Sequence, residues 1–217
     1  MKIYRIPSVR SALIFDMDST LYTNAEYARD QIDLPIWHLA RIRGRSFEDM
    51  KREIETYRET WAQTKGEKIS LTNTFKDFGI SLEENIRWRE ELYEPSRYLK
   101  PDPVLGKTLD ALASAFSFAL VTNNPVLVAK KTLAALGIGE FFTIMVGLDT
   151  CKVSKPHRAP FIKAMEFLEI PAEECIALGD RYDFDIAPPL ELGMGGILVD
   201  GVEDVYGLEE ILKQDHV

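Results

Sequence analysis

Leu13-Ile14-Phe15-Asp16-Met17-Asp18-Ser19-Thr20-Leu21 is the stretch that decides the fold. An apolar run ends abruptly in two carboxylates one residue apart, followed by two hydroxyl residues. A buried strand has no structural use for two acids at its tip, because desolvating unpaired carboxylates is costly unless a cation offsets it. The pair therefore points to a bound divalent metal, with one of the two acids also open to covalent chemistry.

Four more runs read as strands: Phe118 to Val121, Thr143 to Val146, Cys175 to Leu178 and Gly196 to Val199. Like Ala12 to Phe15, they are apolar nearly throughout, as strands buried on both faces should be. Helical patterns separate them, at Val104 to Ala115, Val126 to Leu136, Ala159 to Leu168 and Asp185 to Leu192, with Gly137 and Gly193 as C-caps of two of these. This alternation predicts an α/β fold, a parallel sheet covered by helices on both faces in a Rossmannoid three-layer sandwich.

Between the first two strands the composition changes. Residues 22–98 are rich in Glu, Arg, Tyr and Trp and poor in Val. Ser46 with Asp49, and Ser81 with Glu84, mark helix starts of the capping-box type. The expected organisation is a core of residues 1–21 and 99–217, interrupted by a helical insertion of residues 22–98. Pro101-Asp102-Pro103 marks the return into the core.

Composition narrows the function classes. The chain has 217 residues, 46% of them hydrophobic, and a net charge of −9. Without a Lys/Arg block, this balance argues against a nucleic-acid binder and against adhesion to anionic membranes. It leaves room for a small phosphorylated ligand, since a metal can supply local positive charge. Cys151 and Cys175 do not call for a disulfide, and a reducing, cytoplasmic setting is the simpler expectation. Met1 to Pro7 has no apolar segment of the signal-peptide kind. No apolar stretch is long enough to span a bilayer.

In open α/β sheets, ligands sit outside the carboxyl ends of the strands. The polar residues of this chain gather at those ends. The first strand ends at Asp16 and Asp18, the second at Thr122-Asn123-Asn124. Ser154-Lys155-Pro156 follows the third, and Gly179-Asp180 ends the fourth, with Asp183 and Asp185 close behind.

These residues resemble the four motifs of the haloacid dehalogenase superfamily of phosphotransferases. Asp16, Asp18 and Thr20 match its Asp-x-Asp-x-Thr; Thr122 matches the second motif, Lys155-Pro156 the third, and Gly179, Asp180, Asp183 and Asp185 the fourth. The insertion falls where that superfamily carries its helical C1 cap. Phe15 to Tyr22 also looks like the opening of its pyrimidine-5′-nucleotidase-like branch. Arg181 departs from many relatives, which have a small residue there.

The resemblance implies a soluble phosphomonoester hydrolase that uses Mg²⁺. Asp16 is then the nucleophile and Asp18 the general acid and base. Asp16, Asp180 and Asp185 would serve the metal, with Asp18 contributing its main-chain carbonyl; Asp183 is the alternative to Asp185. Thr122 and the amides near Asn123 would bind phosphate oxygens, and Lys155 would steady the nucleophile. Implied substrates are small metabolites: a nucleoside monophosphate, a sugar phosphate or phosphoglycolate. A phosphomutase on the same scaffold is the alternative, and a non-catalytic binding module a further one. The expected assembly is a monomer or homodimer.

Within the insertion, Asn24 and Tyr27 stand where cap and core should meet and are the expected specificity residues. Arg41, Arg43 and Arg45 could hold an anionic tail or form a solvated face. Trp37, Trp61 and Trp88 could stack on a base or fill the cap interior. His38 and His157 have no second His or Cys at metal-ligand spacing.

Overall fold

Alternate residues of the first apolar run face opposite ways. Leu13 and Phe15 join one buried cluster, Ala12 and Ile14 another. This period of two, with both faces buried, makes the run a central strand. The computed structural model describes residues 1–213; the last four positions of the expected core segment lie outside them.

The strands are β1 (Lys2–Arg5), β2 (Ala12–Phe15), β3 (Ser117–Val121), β4 (Ile144–Val146), β5 (Cys175–Gly179) and β6 (Gly195–Leu198). They form one sheet in the order β1-β6-β5-β2-β3-β4. All neighbouring pairs are parallel except β1 with β6. The fold is thus the expected α/β sandwich with an antiparallel edge strand added. Sequence reading missed β1, whose side chains are largely exposed and show no apolar run.

The segment after β2 forms α1 (Ala25–Ile42), α2 (Phe47–Lys65), α3 (Leu71–Asp77) and α4 (Leu82–Leu92). Asn24, Ser46, Ser70 and Ser81 cap them, each side chain accepting from a backbone N–H three residues on. Ser81 and Glu84 complete a reciprocal capping box. The apolar faces meet in a cluster of their own, including Ile36, Leu39, Met50, Ile54, Phe75 and Trp88. Each such side chain contributes about 1.5–3 kcal/mol of burial.

The remaining helices are α5 (Pro103–Ala113), α6 (Val126–Leu136), α7 (Leu148–Cys151), α8 (Ala159–Leu168), α9 (Ala187–Glu191), α10 (Val202–Tyr206) and α11 (Leu208–Lys213). α5, α6, α10 and α11 cover one face of the sheet, and α8 covers the other. The helix expected from Asp185 instead starts at Ala187, after a wide π-helical turn at Tyr182–Ile186. Asp185 lies in that turn and points inward to Lys155. Both cysteines are unpaired. Among the described residues, no helix is long and apolar enough to cross a membrane.

Candidate active site

Sheet register brings the four strand ends to one level. Phe15 pairs with Leu178 on one side and Leu120 on the other, and the Asp16 amide donates to the Leu178 carbonyl at 2.8 Å. The chain goes from β2 to β3 on one flank and later to β5 on the other. A crevice therefore opens beside β2, the switch point where open α/β sheets bind ligands.

Lys155 sits at the floor of this crevice with a side chain 0% exposed. An ammonium has three hydrogens. Here they go to Asp16 Oδ1 at 2.5 Å, Asp185 Oδ1 at 2.5 Å and the Val121 carbonyl at 3.0 Å. Burial opposes the Lys155 charge, but the two carboxylates outweigh it and raise its pKa. Burial pushes the Asp16 carboxyl upward, and Lys155 offsets only part of that. Asn123 fixes the lysine's backbone at two points. Its Oδ1 accepts from the Lys155 amide at 2.6 Å, and its Nδ2 donates to the Lys155 carbonyl at 3.1 Å.

Asp185 has both oxygens in use. Oδ1 accepts from Lys155 and Oδ2 accepts from the Arg181 amide at 3.0 Å. Gly179 makes room for it, since a Cβ there would stand 2.3 Å from the Asp185 Cβ. Asp183 points elsewhere; its side chain is 57% exposed and lies 3.9 Å from Lys68. Of the two acids left open in the sequence, Asp185 is the one in the buried cluster.

Asp18 is held from above. Oδ1 accepts from the Tyr22 hydroxyl at 2.5 Å and from Gln31 Nε2 at 3.0 Å, and Oδ2 accepts from Asn124 Nδ2 at 2.8 Å. Gln31 Oε1 accepts from Asn124 at 2.8 Å, so α1 is tied into the same network. Arg89 of α4 supports the other side of Asn124, donating to its Oδ1 at 2.9 Å and to the Asn123 carbonyl at 3.0 Å. Ser70 and Ser154 add a buried hydroxyl pair at 2.9 Å between the helical segment and the core. The Thr122 hydroxyl is buried at the end of β3 and accepts from the Asn124 amide at 3.1 Å.

Gln31 and Arg89 went unnoticed in the sequence, although a signal existed. Asn85, Trp88, Arg89 and Leu92 form an i, i+3, i+4, i+7 stripe, and a charge on an apolar stripe needs a buried partner. Gln31 likewise stands four residues after buried Tyr27.

Other expected residues lie outside the cluster. The Asn24 carbonyl oxygen caps α1 and its amide donates to the Tyr98 carbonyl at 3.0 Å. Tyr27 is buried in the main core, stacked on Tyr98. Their side chains are occupied by folding, so neither lines the cavity described below. Arg45 pairs with Glu53, Arg43 donates to the Phe78 carbonyl, and Arg41 lies over Trp37. Trp88 belongs to the interior of the helical segment and packs against His38. His157 accepts from the Ala159 amide at the start of α8.

The carboxylate cluster suits a divalent cation. Asp16, Asp180 and Asp185 each offer an oxygen, all within 4.8 Å of one another. Asp16 Oδ2 and Asp180 Oδ1 are buried without a hydrogen-bond partner. Among the described residues, Asp180 Oδ1 has only Arg181 Nε, at 3.6 Å, so these buried anionic oxygens are costly unless a further cation completes them. Burial, then Asp185, pushes Asp180 up to about 6, as expected of acids awaiting a counter-charge. Above the cluster lies a cavity of about 290 Å³ between the strand ends and the helical segment.

Comparison with known proteins agrees with this geometry. The model of a haloacid dehalogenase-like hydrolase family matches residues 11–193. Phosphoglycolate phosphatase of Colwellia psychrerythraea is 38% identical over 79 residues, 36% of this chain and 35% of that protein. The Salmonella paratyphi A phosphoglycolate phosphatase is 28% identical over 193 residues, 80% of this chain and 75% of that protein. In several such matches, the chain spans about a third to a half of the relative's length. A HAD phosphatase from Thermococcus onnurineus superposes with a TM-score of 0.66 at 20% identity, covering 95% of this chain and 100% of that one. At that identity the likeness speaks for the fold.

Proposed function

Because the chain belongs to the haloacid dehalogenase-like hydrolase family, we propose that it is a Mg²⁺-dependent phosphatase of small phosphomonoesters. The observation that carries this reading is the state of Asp16. One oxygen is anchored by Lys155, and the other is buried and unpartnered, in a carboxylate cluster whose Asp180 lines the cavity.

An anchored carboxylate with one free oxygen is a positioned nucleophile. Asp16 attacks phosphorus, the ester P–O bond breaks, and Asp18 gives a proton to the departing oxygen. Asp18 then takes a proton from water as that water attacks the aspartyl-phosphate, releasing phosphate and restoring Asp16. Tyr22, Gln31 and Asn124 aim the Asp18 carboxyl for both transfers. Lys155 stays protonated and offsets charge on Asp16 and on the transferring group. Thr122 and the turn at Asn123 stand at the end of β3 for phosphate oxygens.

Asp16 and Asp180 would hold Mg²⁺, with the Asp18 main-chain carbonyl and Asp185 as further candidates. The ion supplies Lewis-acid charge that offsets repulsion between carboxylate and phosphate. The helical segment closes over the cluster, keeping bulk water from the intermediate.

Phosphate release from p-nitrophenyl phosphate, with and without Mg²⁺, tests this reading. The wild type should turn over only with the ion, and Asp16→Asn should be inactive. Equal turnover by Asp16→Asn would remove it.

A further inference from the structure

The cavity is divided by charge. Among the described residues, the only carboxylates lining it, Asp18 and Asp180, come from the strand ends. Three cations, Arg58, Lys68 and Arg89, come from the helical segment, and Arg181 joins them from the loop after β5. On a chain of net charge −9, four cations around one cavity require a local reason.

Among the described residues, two of them have no carboxylate within 4.0 Å. Arg89 is 6% exposed, and its guanidinium donates only to neutral acceptors: Asn85 Oδ1, the Asn123 carbonyl, Asn124 Oδ1 and Thr72 Oγ1. Among the described residues it has no carboxylate within ion-pair distance. A buried guanidinium left so is costly, and a bound anion relieves the cost. Arg58 is half-buried in α2, with one hydrogen bond among the described residues, to the Ile69 carbonyl at 3.4 Å. Burial, then the Arg181 charge, lowers its pKa. Two guanidiniums from opposite walls thus repel each other, and an anion between them would turn that repulsion into attraction.

The remaining two are more loosely engaged. Lys68 is 72% exposed and 3.9 Å from Asp183. Arg181 lines the cavity with its guanidinium over the Phe184 ring, and its Nε lies 3.6 Å from Asp180 and 3.7 Å from Asp185. A neighbouring depression shares Arg58 and Lys68 and adds Glu55 and Glu59, neither of which pairs with Arg58 within 4.0 Å among the described residues.

We propose that Arg58, Lys68 and Arg181, backed by the buried charge of Arg89, form a second anion subsite opposite the carboxylate cluster. The preferred substrate is then a small phosphomonoester with a second anionic group, a carboxylate or another phosphate, at the end remote from the scissile ester. This rests on the hydrolase reading above: the transferring phosphoryl group meets Asp16, and the second anion lies under α2 and the loop before α3. Guanidinium forks favour planar or tetrahedral oxyanions through paired N–H donors. The site therefore acts by binding the remote part of the substrate, and that binding helps align the ester.

Steady-state kinetics with Mg²⁺ on three esters test the proposal. p-Nitrophenyl phosphate has no second anion, phosphoglycolate has a carboxylate, and a sugar bisphosphate has a second phosphate. The wild type should show kcat/KM at least about tenfold higher for one or both doubly anionic esters, and whichever is preferred identifies the second group. In Arg58→Gln and in Lys68→Gln, the ratio of that kcat/KM to the p-nitrophenyl phosphate value should fall about fivefold to tenfold, chiefly through KM. Arg58→Lys should recover part of the ratio.

A wild type that hydrolyses all three esters alike overturns the subsite and leaves the hydrolase reading intact. A wild-type preference that neither variant changes also overturns it. An enzyme inert toward every ester overturns both readings.

Discussion

Gln31, in the first helix after β2, donates to the Asp18 carboxylate at 3.0 Å and accepts from Asn124 at 2.8 Å, while Asn124 donates to the other Asp18 oxygen. One amide side chain thereby links the helical segment to the proposed acid and base. The carboxylate has partners on both oxygens, so its orientation depends on that segment being in place.

Gln31→Leu removes this link without adding charge. Losing one such hydrogen bond is worth about 1–1.5 kcal/mol, so kcat should fall roughly tenfold with KM changed less. Gln31→Glu should be worse, because it sets a second carboxylate against Asp18. Steady-state kinetics check both. An unchanged kcat in Gln31→Leu would show that Asp18 is oriented without it.

Lys155 bridges Asp16 and Asp185 at the floor of the site, and its removal leaves the two carboxylates facing each other buried. Lys155→Met should abolish turnover and lower stability by about 3–5 kcal/mol. Adding Asp185→Asn should recover part of that loss, since the two positions share one interaction. Urea denaturation of the single and double variants measures it. Strictly additive losses would contradict the ion-pair account.

Gly179 ends β5 where a Cβ would stand 2.3 Å from that of Asp185. That contact is too short for any adjustment of side chains alone. Gly179→Ala should therefore displace the turn carrying Asp185, with a stability loss of about 1–3 kcal/mol and a loss of activity. Thermal melting with a parallel assay tests this, and a variant matching the wild type in both would refute it.

Metal binding should depend on pH in a definite direction. Burial raises Asp16, and burial with Asp185 pushes Asp180 up to about 6 from an ordinary 3.8. A carboxyl raised in the folded state holds a proton that the unfolded chain has released. The metal-free protein should lose stability as pH rises from near 4, through about 6 for Asp180 and on to about 8 for Asp16. Mg²⁺ competes with those protons, so its stabilisation should grow over the same range. The rise in Tm on adding Mg²⁺ should be larger at about pH 8 than at about pH 5.5. Equal shifts at both would mean these acids do not take up the ion.

Much of this was legible before the structure, for a physical reason. Apolar runs such as Leu13 to Phe15, alternating with helical patterns, read as strands buried on two faces, and acids directly behind them then meet at the sheet's carboxyl edge. That logic located Asp16, Asp18, Lys155, Asp180 and Asp185. It gave no access to Gln31 or Arg89, whose positions depend on how helices of the inserted segment pack over the sheet. It assigned Asn24 and Tyr27 to substrate by nearness in sequence, whereas helix capping and core packing use both side chains. β1 escaped because an exposed edge strand needs no apolar pattern.

Covalent trapping reports on Asp16 most directly. Enzyme quenched during turnover with Mg²⁺ and a phosphomonoester, then reduced with borohydride, should carry homoserine in place of aspartate at position 16, read by peptide mass spectrometry. Modification at that one site is the expected result. Steady turnover with Asp16 unmodified, or with the label on another carboxylate, would contradict the assignment of the nucleophile.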